Sequence, residues 1–564
     1  MEWSTEMSDD ARKISEEQEK WLLQLEGVKE RKEAFVSDAG IPLKPLYTPL
    51  DVGDIDYVEE DGFPGMPPYT RGVYPNMYRG RLWTIRMFSG FGTPEETNQR
   101  WKMLYDHGET GFSSAVDSLT FAGVDPDDPI EWLESEVGKE GVPLYSIRGM
   151  EAMVEGIPID EVSVALVVEP ETSAAITSMY FNVAEKRGIP KSQLRGTTQN
   201  DILTMTIGYV PWHPLKPQDL LKLACDLIEY CTAMGEAPKW NPVNFTTYNY
   251  REGGIDAVQE IAFGLANAVA HIDEMLRRGW KIDDFAFRLA FHLAAQRDFF
   301  EEVAKYRAAR KLWYRLMTER YNPQQPVSKQ FRFHVQTAGS SLTAQQPTVN
   351  IIRTAYQALE AVLGGCQSLH TNSFDEAVCL PAEESVLLAV RTQQVIREET
   401  GVTDVIDPLG GSYYVEALTE ELEHRIWEYF LEIEEAGGIV AALNSGWLYR
   451  EMNKAFDKRR KAVESGEEKV IGVNTCVVDE EEPCPPFRTN PDAARIEIER
   501  LEKLRQERDN QKVAGLLDEL KRVCETRENV LPVVSRLTAE GASVGEITNT
   551  FREMWGLWDC PMMG

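Results

Sequence analysis

The feature that most restricts the fold is an alternation of short β-rich segments with longer amphipathic segments between about residues 110 and 410. Each connection is long enough to carry a crossover helix, so successive strands are predicted to lie parallel. Eight alternations predict an α/β fold of the (β/α)8 barrel type, with a doubly wound open sheet as the alternative. The β-rich segments are 111–117, 162–168, 194–199, 242–249, 285–293, 331–337 and 364–372, with a weak eighth at 403–408.

Polar residues stand at the C-terminal ends of several predicted strands. They are Gln199, Asn249, Gln336, Thr371 and Asn372. A (β/α)8 barrel builds its active site from this end of the strands. The pattern of the sequence therefore places a candidate site there.

Two further regions flank the barrel, which is predicted to span 77–416. In region 1–76, residues 9–36 are predicted to form a charged amphipathic helix, and proline and glycine then crowd 41–76, which indicates an extended linker. We expect this arm to dock on a partner subunit, and a solvated surface element is the alternative. Region 417–564 is predicted to be mostly helical, with an irregular acidic stretch at 477–493.

Charge and cysteine usage exclude several classes of protein. The net charge of −33 disfavours binding to nucleic acid or to an anionic membrane surface. No signal peptide and no apolar run of about 18 residues is present, so a cytoplasmic location is expected. The eight cysteines and seven histidines show neither CxxC nor HxxxH spacing, so no metal site is predicted.

The stretch 74–98 has neither helical nor strand periodicity and mixes aromatic residues with cations. Tyr74, Met77 and Tyr78 can line a narrow apolar passage. Arg81 and Arg86 offer guanidinium groups suited to phosphate. This composition indicates a long, thin ligand with an anionic end, although a surface loop is the alternative.

Segment 74–98 resembles the coenzyme A access segment of the methylmalonyl-CoA mutase family, the adenosylcobalamin-dependent acyl-CoA mutases. Further matching segments follow in order: GTTQNDIL (196–203), NPVNF (241–245), FRFHVQTAGSSLT (331–343), QSLHTNSFDEA (367–377) and IDPLGGSYYVE (406–416). The resemblance implies a radical 1,2-rearrangement of an acyl group carried as a coenzyme A thioester. The enzyme would thus be an intramolecular transferase, that is, an isomerase.

The resemblance also implies roles for individual residues. Glu252, Gly339, Glu376 and Ala377 would meet the corrin and its adenosyl group. Tyr209, Phe88, Tyr248, Asn249 and Gln199 would surround the reacting acyl group. Coenzyme A would contact Tyr74, Met77, Arg81, Thr84, Arg86, Ser113, Thr197, Asn241, Arg288, His334 and Gln336, with Gln199 counted among these contacts as well.

Several positions depart from methylmalonyl-CoA mutase and bear on the substrate. Phe88 replaces a tyrosine, as in isobutyryl-CoA mutases, and Tyr209 replaces the arginine that binds the substrate carboxylate. Ala115 lacks the acid of 2-hydroxyisobutyryl-CoA mutases, and Asn249 replaces a histidine near the thioester carbonyl. A branched, non-carboxylated acyl-CoA is therefore expected. For methylmalonyl-CoA, another cation would be needed, with Arg251 the first candidate.

The chain lacks the Asp-x-His-x-x-Gly segment through which the family binds cobalamin. We therefore expect a large subunit that shares adenosylcobalamin with a small cobalamin-binding subunit in an α2β2 heterotetramer, with a G-protein chaperone as a further partner. The alternatives are a mutase for a bulkier or aromatic acyl-CoA or for methylmalonyl-CoA itself, and a non-catalytic structural pseudo-mutase subunit. Retention of the coenzyme A residues argues against the last of these.

Overall fold

A computed structural model describes residues 9–25, 32, 34–53, 55–129, 133–204, 215–479 and 486–561. The helices in these ranges are α1 Asp9–Leu25, α2 Met77–Gly80, α3 Pro94–Asp106, α4 Ser118–Ala122, α5 Ile147–Met153, α6 Pro170–Lys186, α7 Pro217–Ile228, α8 Tyr248–Glu252, α9 Ala257–Arg277, α10 Phe299–Leu316, α11 Asn350–Leu363, α12 Glu383–Glu399, α13 Tyr413–Glu435, α14 Gly438–Asn444, α15 Trp447–Ser465, α16 Ala493–Glu507, α17 Asn510–Thr526, α18 Leu531–Ala539 and α19 Val544–Trp555. The strands are β1 Thr84–Ile85, β2 Phe88–Ser89, β3 Gly111–Ala115, β4 Ser163–Val167, β5 Arg195–Gln199, β6 Trp240–Asn241, β7 Asn244–Thr246, β8 Ala290–Ala295, β9 Phe333–Thr337 and β10 Ser368–His370.

These strands form two parallel sheets whose edges are joined by the chain itself. One sheet has the order β1-β10-β9-β8-β7 and the other β2-β3-β4-β5-β6. Only residues 86–87 separate β1 from β2, and only 242–243 separate β6 from β7. Taking 84–89 and 240–246 as one interrupted strand each gives a ring of eight strands among the described residues, which is the predicted (β/α)8 barrel. Pro242 explains the second interruption, because proline has no N–H to donate to the ladder.

The weak eighth strand predicted at 403–408 is wrong. That segment forms turns between α12 and α13, and its Asp407 makes salt bridges to Arg71 and Arg307. The missing strand is 84–89, the first of the barrel, inside the stretch that showed no strand period. Its two short halves are each too brief to show the alternation by which strands are recognised.

Close packing around the barrel depends on side chains of unequal size. Trp240 is fully buried in β6, and a Cβ placed on Gly196 in β5 would lie 2.2 Å from its ring. Glycine at 196 therefore lets the indole pack directly against the neighbouring strand. The Trp240 Nε1 donates a hydrogen bond to the Thr198 hydroxyl at 2.9 Å, which satisfies the indole inside the core.

The regions flanking the barrel pack on its helices. Helix α1 is described over Asp9–Leu25, and residues 26–31 of the predicted helix lie outside the described residues. Val36, at the end of that prediction, forms an antiparallel bridge with Pro42. The backbone N–H of Ala39 donates to Glu301 of α10 at 3.0 Å. On the other side, Asn182 of α6 donates to the carbonyl of Ser535 in α18 at 2.9 Å. None of the described helices combines the length and apolarity needed to cross a bilayer.

Candidate acyl-CoA channel

A cavity of about 630 Å³ runs through the interior of the barrel. Its walls include residues at the N-terminal ends of strands, such as Ser163 and Ser368, and residues at the C-terminal ends, such as Gln199 and Gln336. We call this cavity the channel. The predicted site residues that line it are Tyr74, Met77, Arg81, Thr84, Arg86, Phe88, Ser113, Thr197, Gln199, Asn241, His334 and Gln336.

Unpaired cations surround the N-terminal mouth of the channel. Arg81 is exposed beside α2, and Arg332 lies just before β9 with its guanidinium donating to the carbonyl oxygens of Phe287 and Leu289. Arg288 stands outside the channel lining, where its Nε donates to the Pro238 carbonyl at 2.8 Å. None of these three arginines makes a salt bridge within the described ranges. In a protein with a net charge of −33, such a cluster favours an anionic ligand at the mouth.

Arg86 is a buried cation in the wall of the channel. Its guanidinium donates to the carbonyl of Phe112 at 2.5 Å and to the hydroxyl of Ser163 at 2.7 Å, and it has no carboxylate partner among the described residues. Burial lowers the pKa of Arg86 to about 10, and the nearby Glu109 opposes this effect. A buried, charged donor without a counter-ion is costly in the free protein and suited to an anionic or carbonyl group of a ligand.

The inner end of the channel is polar but uncharged. Gln336 Nε2 donates to the hydroxyl of Tyr248 at 2.9 Å, and Gln199 Nε2 donates to Thr204 at 2.9 Å. Phe88 is 37% exposed and lies edge-on to His370. These groups offer hydrogen bonds and apolar contacts to an acyl group but no fixed charge.

Three histidines lie along the barrel interior on β8, β9 and β10. The ring centroids of His292 and His334 are 4.8 Å apart, and the His370 Nδ1 accepts a hydrogen bond from the Phe88 N–H at 2.8 Å. Burial lowers the pKa of His292 to about 3, that of His370 to about 4, and that of His334 well below its usual range. All three imidazoles are therefore neutral near pH 7.

Two basic residues of the channel lining, His292 and Arg332, were not among the site residues predicted from the sequence. Both belong to β-rich segments that the sequence had identified, and both follow the period of two that places alternate residues on one face of a strand. Arg332 has the same parity as His334 and Gln336. Applying that period to each strand would have added Arg332 and His292 to the predicted lining residues.

Two of the residues predicted around the acyl group, Tyr248 and Asn249, do not line the channel. Tyr248 lies behind Gln336 in α8, and Asn249 is half-buried in the same short helix, with no hydrogen bond from its side chain to a described residue. Tyr209 falls within 205–214, outside the described residues. Arg251, considered as an alternative cation for a carboxylate, is wrong for that role because it is buried against Glu302 at 3.0 Å and Asp38 at 3.2 Å.

The residues expected to face a corrin lie in loops after the C-terminal ends of strands. Ser340 donates to Glu252 from its backbone N–H at 2.6 Å, and burial raises the pKa of Glu252 to about 7. A Cβ on Gly339 would lie 3.0 Å from Glu252 and 3.1 Å from Asn372, whose buried Nδ2 has no hydrogen-bond partner in the described chain. Glu376 and Ala377 are exposed beside them. A surface with a glycine, an orphaned amide donor, one half-buried acid and one exposed acid fits a large polar ligand such as adenosylcobalamin. The described residues contain no cluster of histidine, cysteine and acidic side chains able to hold a metal ion.

Comparison with known proteins identifies the relatives of the chain. Residues 36–557 match the methylmalonyl-CoA mutase family. The 2-hydroxyisobutanoyl-CoA mutase large subunit of Aquincola tertiaricarbonis is 41% identical over 534 residues, which cover 94% of this chain and 93% of the relative. Methylmalonyl-CoA mutases of Cereibacter sphaeroides and Escherichia coli are 40% and 36% identical over 92% and 90% of the chain, covering 72% and 70% of those proteins.

Proposed function

The chain belongs to the methylmalonyl-CoA mutase family, and from this premise we propose that it is the large, substrate-binding subunit of an adenosylcobalamin-dependent acyl-CoA mutase. One observation carries the proposal: twelve residues predicted for coenzyme A and its acyl group, from Tyr74 to Gln336, line a single channel through the barrel. These residues come from five of the eight strands and from the segment before the first, so chance proximity along the sequence does not explain their convergence.

We propose that coenzyme A binds with its anionic end at the mouth and its acyl group at the inner end. Arg81 and Arg332 are placed to hold phosphate, while Arg86 donates to an anionic or carbonyl group inside the channel. Ser113, Thr197 and Asn241 supply neutral polar contacts along the pantetheine arm. Such a channel orients the thioester and excludes water from it, which is what a radical rearrangement requires of the protein.

The acyl substrate is proposed to be branched and uncharged. Phe88, Val167 and Gln199 offer no cation to a carboxylate, and the three histidines of the barrel interior are neutral. Desolvating an unpaired carboxylate would cost roughly 1–3 kcal/mol or more. The relative named for 2-hydroxyisobutanoyl-CoA supports the same class of substrate. The proposal also assigns Tyr209 and Asn249 to the surroundings of the acyl group, as the resemblance to the mutases implies.

The partner is proposed to be a small cobalamin-binding subunit that covers the C-terminal face of the barrel. One relative is named a large subunit, which supports a small partner, and this chain has no Asp-x-His-x-x-Gly segment of its own. Bound adenosylcobalamin would supply the radical that starts the rearrangement. Glu252, Gly339, Glu376 and Ala377 would orient it, and residues 1–76 would dock on the partner. An α2β2 assembly, a G-protein chaperone and a cytoplasmic location complete the proposal.

Reconstitution tests this function. The purified chain should bind coenzyme A in a calorimetric titration but show no base-off cobalamin spectrum until a small subunit with Asp-x-His-x-x-Gly is added. The reconstituted enzyme should then turn over isobutyryl-CoA or 2-hydroxyisobutyryl-CoA faster than methylmalonyl-CoA. Coenzyme A binding without any turnover would favour the pseudo-mutase alternative, and faster turnover of methylmalonyl-CoA would contradict the proposed substrate class.

A further inference from the structure

Three buried polar atoms of the channel wall have no hydrogen-bond partner among the described residues: Asn241 Oδ1, Arg332 Nε and His292 Nε2. His292 is 8% exposed and lines the channel, and its Nε2 makes no hydrogen bond of normal distance and angle to any described residue, although the nearby Gln336 side chain partly opposes the lowering of the His292 pKa. A buried polar nitrogen left unpaired costs about 1–3 kcal/mol. Because this nitrogen belongs to a residue that lines a cavity shaped for a ligand, the missing partner is most simply a ligand atom.

The surroundings of His292 fix its ring. The imidazole stacks on the phenol of Tyr248, with centroids 5.2 Å apart and planes 10° apart, and the His334 ring lies edge-on at 4.8 Å. Tyr248 is itself tethered by the hydrogen bond from Gln336. These two ring contacts hold the imidazole in one orientation, so a hydrogen bond from it carries little additional entropic cost.

The position of His292 along the barrel selects the part of the ligand that it meets. In β8 it lies two residues beyond Ala290, where the strand begins, and it pairs with Thr246, the last residue of β7. Tyr248, against which it stacks, follows that strand at the inner end. The imidazole therefore lies level with the inner end of the channel and not with the cationic mouth.

We infer that His292 is a positioning and specificity residue whose Nε2 hydrogen-bonds an uncharged oxygen on the acyl portion of the substrate. This inference rests on the proposed acyl-CoA mutase function. The oxygen is either the thioester carbonyl or a hydroxyl on the acyl chain, both of which a neutral imidazole can recognise. His292 thus supplies an imidazole to the acyl group from β8, whereas position 249 on α8 carries an amide.

Two substitutions distinguish the contribution of the Nε2 hydrogen bond from the contribution of the aromatic ring. His292→Phe keeps an aromatic ring against Tyr248 but removes the hydrogen bond, and His292→Gln returns an amide without the ring. His424→Phe, on an exposed part of α13, is the matched control. Calorimetry on the full chain would compare isobutyryl-CoA with free coenzyme A, which lacks the acyl oxygen.

The expected result is a three- to tenfold fall in the preference for isobutyryl-CoA over coenzyme A in His292→Phe, with coenzyme A affinity unchanged. His292→Gln should recover part of that preference, and His424→Phe should match the unaltered chain. A preference over coenzyme A that is unchanged in His292→Phe for both isobutyryl-CoA and 2-hydroxyisobutyryl-CoA, with coenzyme A binding intact, would overturn the inference and leave the proposed function standing. If the unaltered chain bound no coenzyme A, the proposed function itself would fail, and this inference with it.

Turnover by the enzyme reconstituted with its small subunit identifies the oxygen. If Nε2 meets the thioester carbonyl, His292→Phe should lower kcat/KM for isobutyryl-CoA and 2-hydroxyisobutyryl-CoA alike. If Nε2 meets the hydroxyl, His292→Phe should lower kcat/KM for 2-hydroxyisobutyryl-CoA only. In calorimetry, the fall should then appear in the preference for 2-hydroxyisobutyryl-CoA over coenzyme A and not in the preference for isobutyryl-CoA. If His292→Phe has the same kcat/KM as the unaltered enzyme for each of the two substrates, the inference is refuted.

Discussion

Replacing Arg86 with methionine should separate ligand binding from stability. Burial lowers the pKa of this guanidinium from 12.5 to about 10. At about 1.36 kcal/mol per pKa unit, burial disfavours the charged side chain by roughly 3 kcal/mol in the free protein. Methionine has a similar length and no charge, so it removes that cost.

The same substitution also removes two hydrogen bonds, to the Phe112 carbonyl and the Ser163 hydroxyl. A bond from a charged donor contributes about 1.5–3 kcal/mol, and at the lower end of that range the two bonds together contribute about 3 kcal/mol. The two effects nearly cancel. We therefore expect the free energy of unfolding of Arg86→Met to stay within about 1 kcal/mol of that of the unaltered chain, whereas coenzyme A binding should weaken strongly.

Urea unfolding with and without coenzyme A measures both quantities. At a ligand concentration of about 100 Kd the unaltered chain should gain roughly 2.7 kcal/mol, and Arg86→Met should gain little at the same concentration. Arg536→Met, at an exposed salt bridge to Glu519 on α17, is the control and should gain as much as the unaltered chain. A loss of more than 2 kcal/mol in the unliganded variant, or unchanged stabilisation by coenzyme A, would refute the reasoning.

Three other substitutions test separate parts of the molecule. Asn249→Ala should lower turnover of the reconstituted enzyme about ten- to a thousandfold with a smaller change in coenzyme A affinity, and intact turnover would make Asn249 a spectator. Arg251→Met should cost about 3–5 kcal/mol in urea unfolding, because it leaves the buried carboxylates of Glu260 and Glu302 short of a cation; a cost below 1 kcal/mol would contradict this. Burial lowers the pKa of His271 to about 4, so between pH 6.5 and 4 the unfolded chain binds a proton that the folded chain does not, and stability falls as the pH is lowered. His271→Gln should lack this loss, so its stability deficit relative to the unaltered chain, measured by urea unfolding, should shrink by about 2 kcal/mol from pH 6.5 to 4.5; a deficit that stays constant would argue against it.

Local pattern in the sequence determined much of the barrel and of its lining. Seven of the eight strands were recognisable because each is a continuous β-rich run between helical segments. Gln199 and Gln336 were placed correctly at C-terminal strand ends because side chains alternate with a period of two along a strand. The motifs shared with the mutases marked the coenzyme A residues because those residues lie in short contiguous segments of the sequence.

The tertiary structure alone decided what depends on contacts between distant residues. The first strand, 84–89, exists because its two halves pair with β10 and β3, which local periodicity does not show. Arg251 is withdrawn from any substrate because Asp38 and Glu302 meet it from far along the chain. His292 owes both its neutral ring and its unpaired nitrogen to burial inside the assembled barrel, and burial is a property of the packed chain that its linear order does not contain.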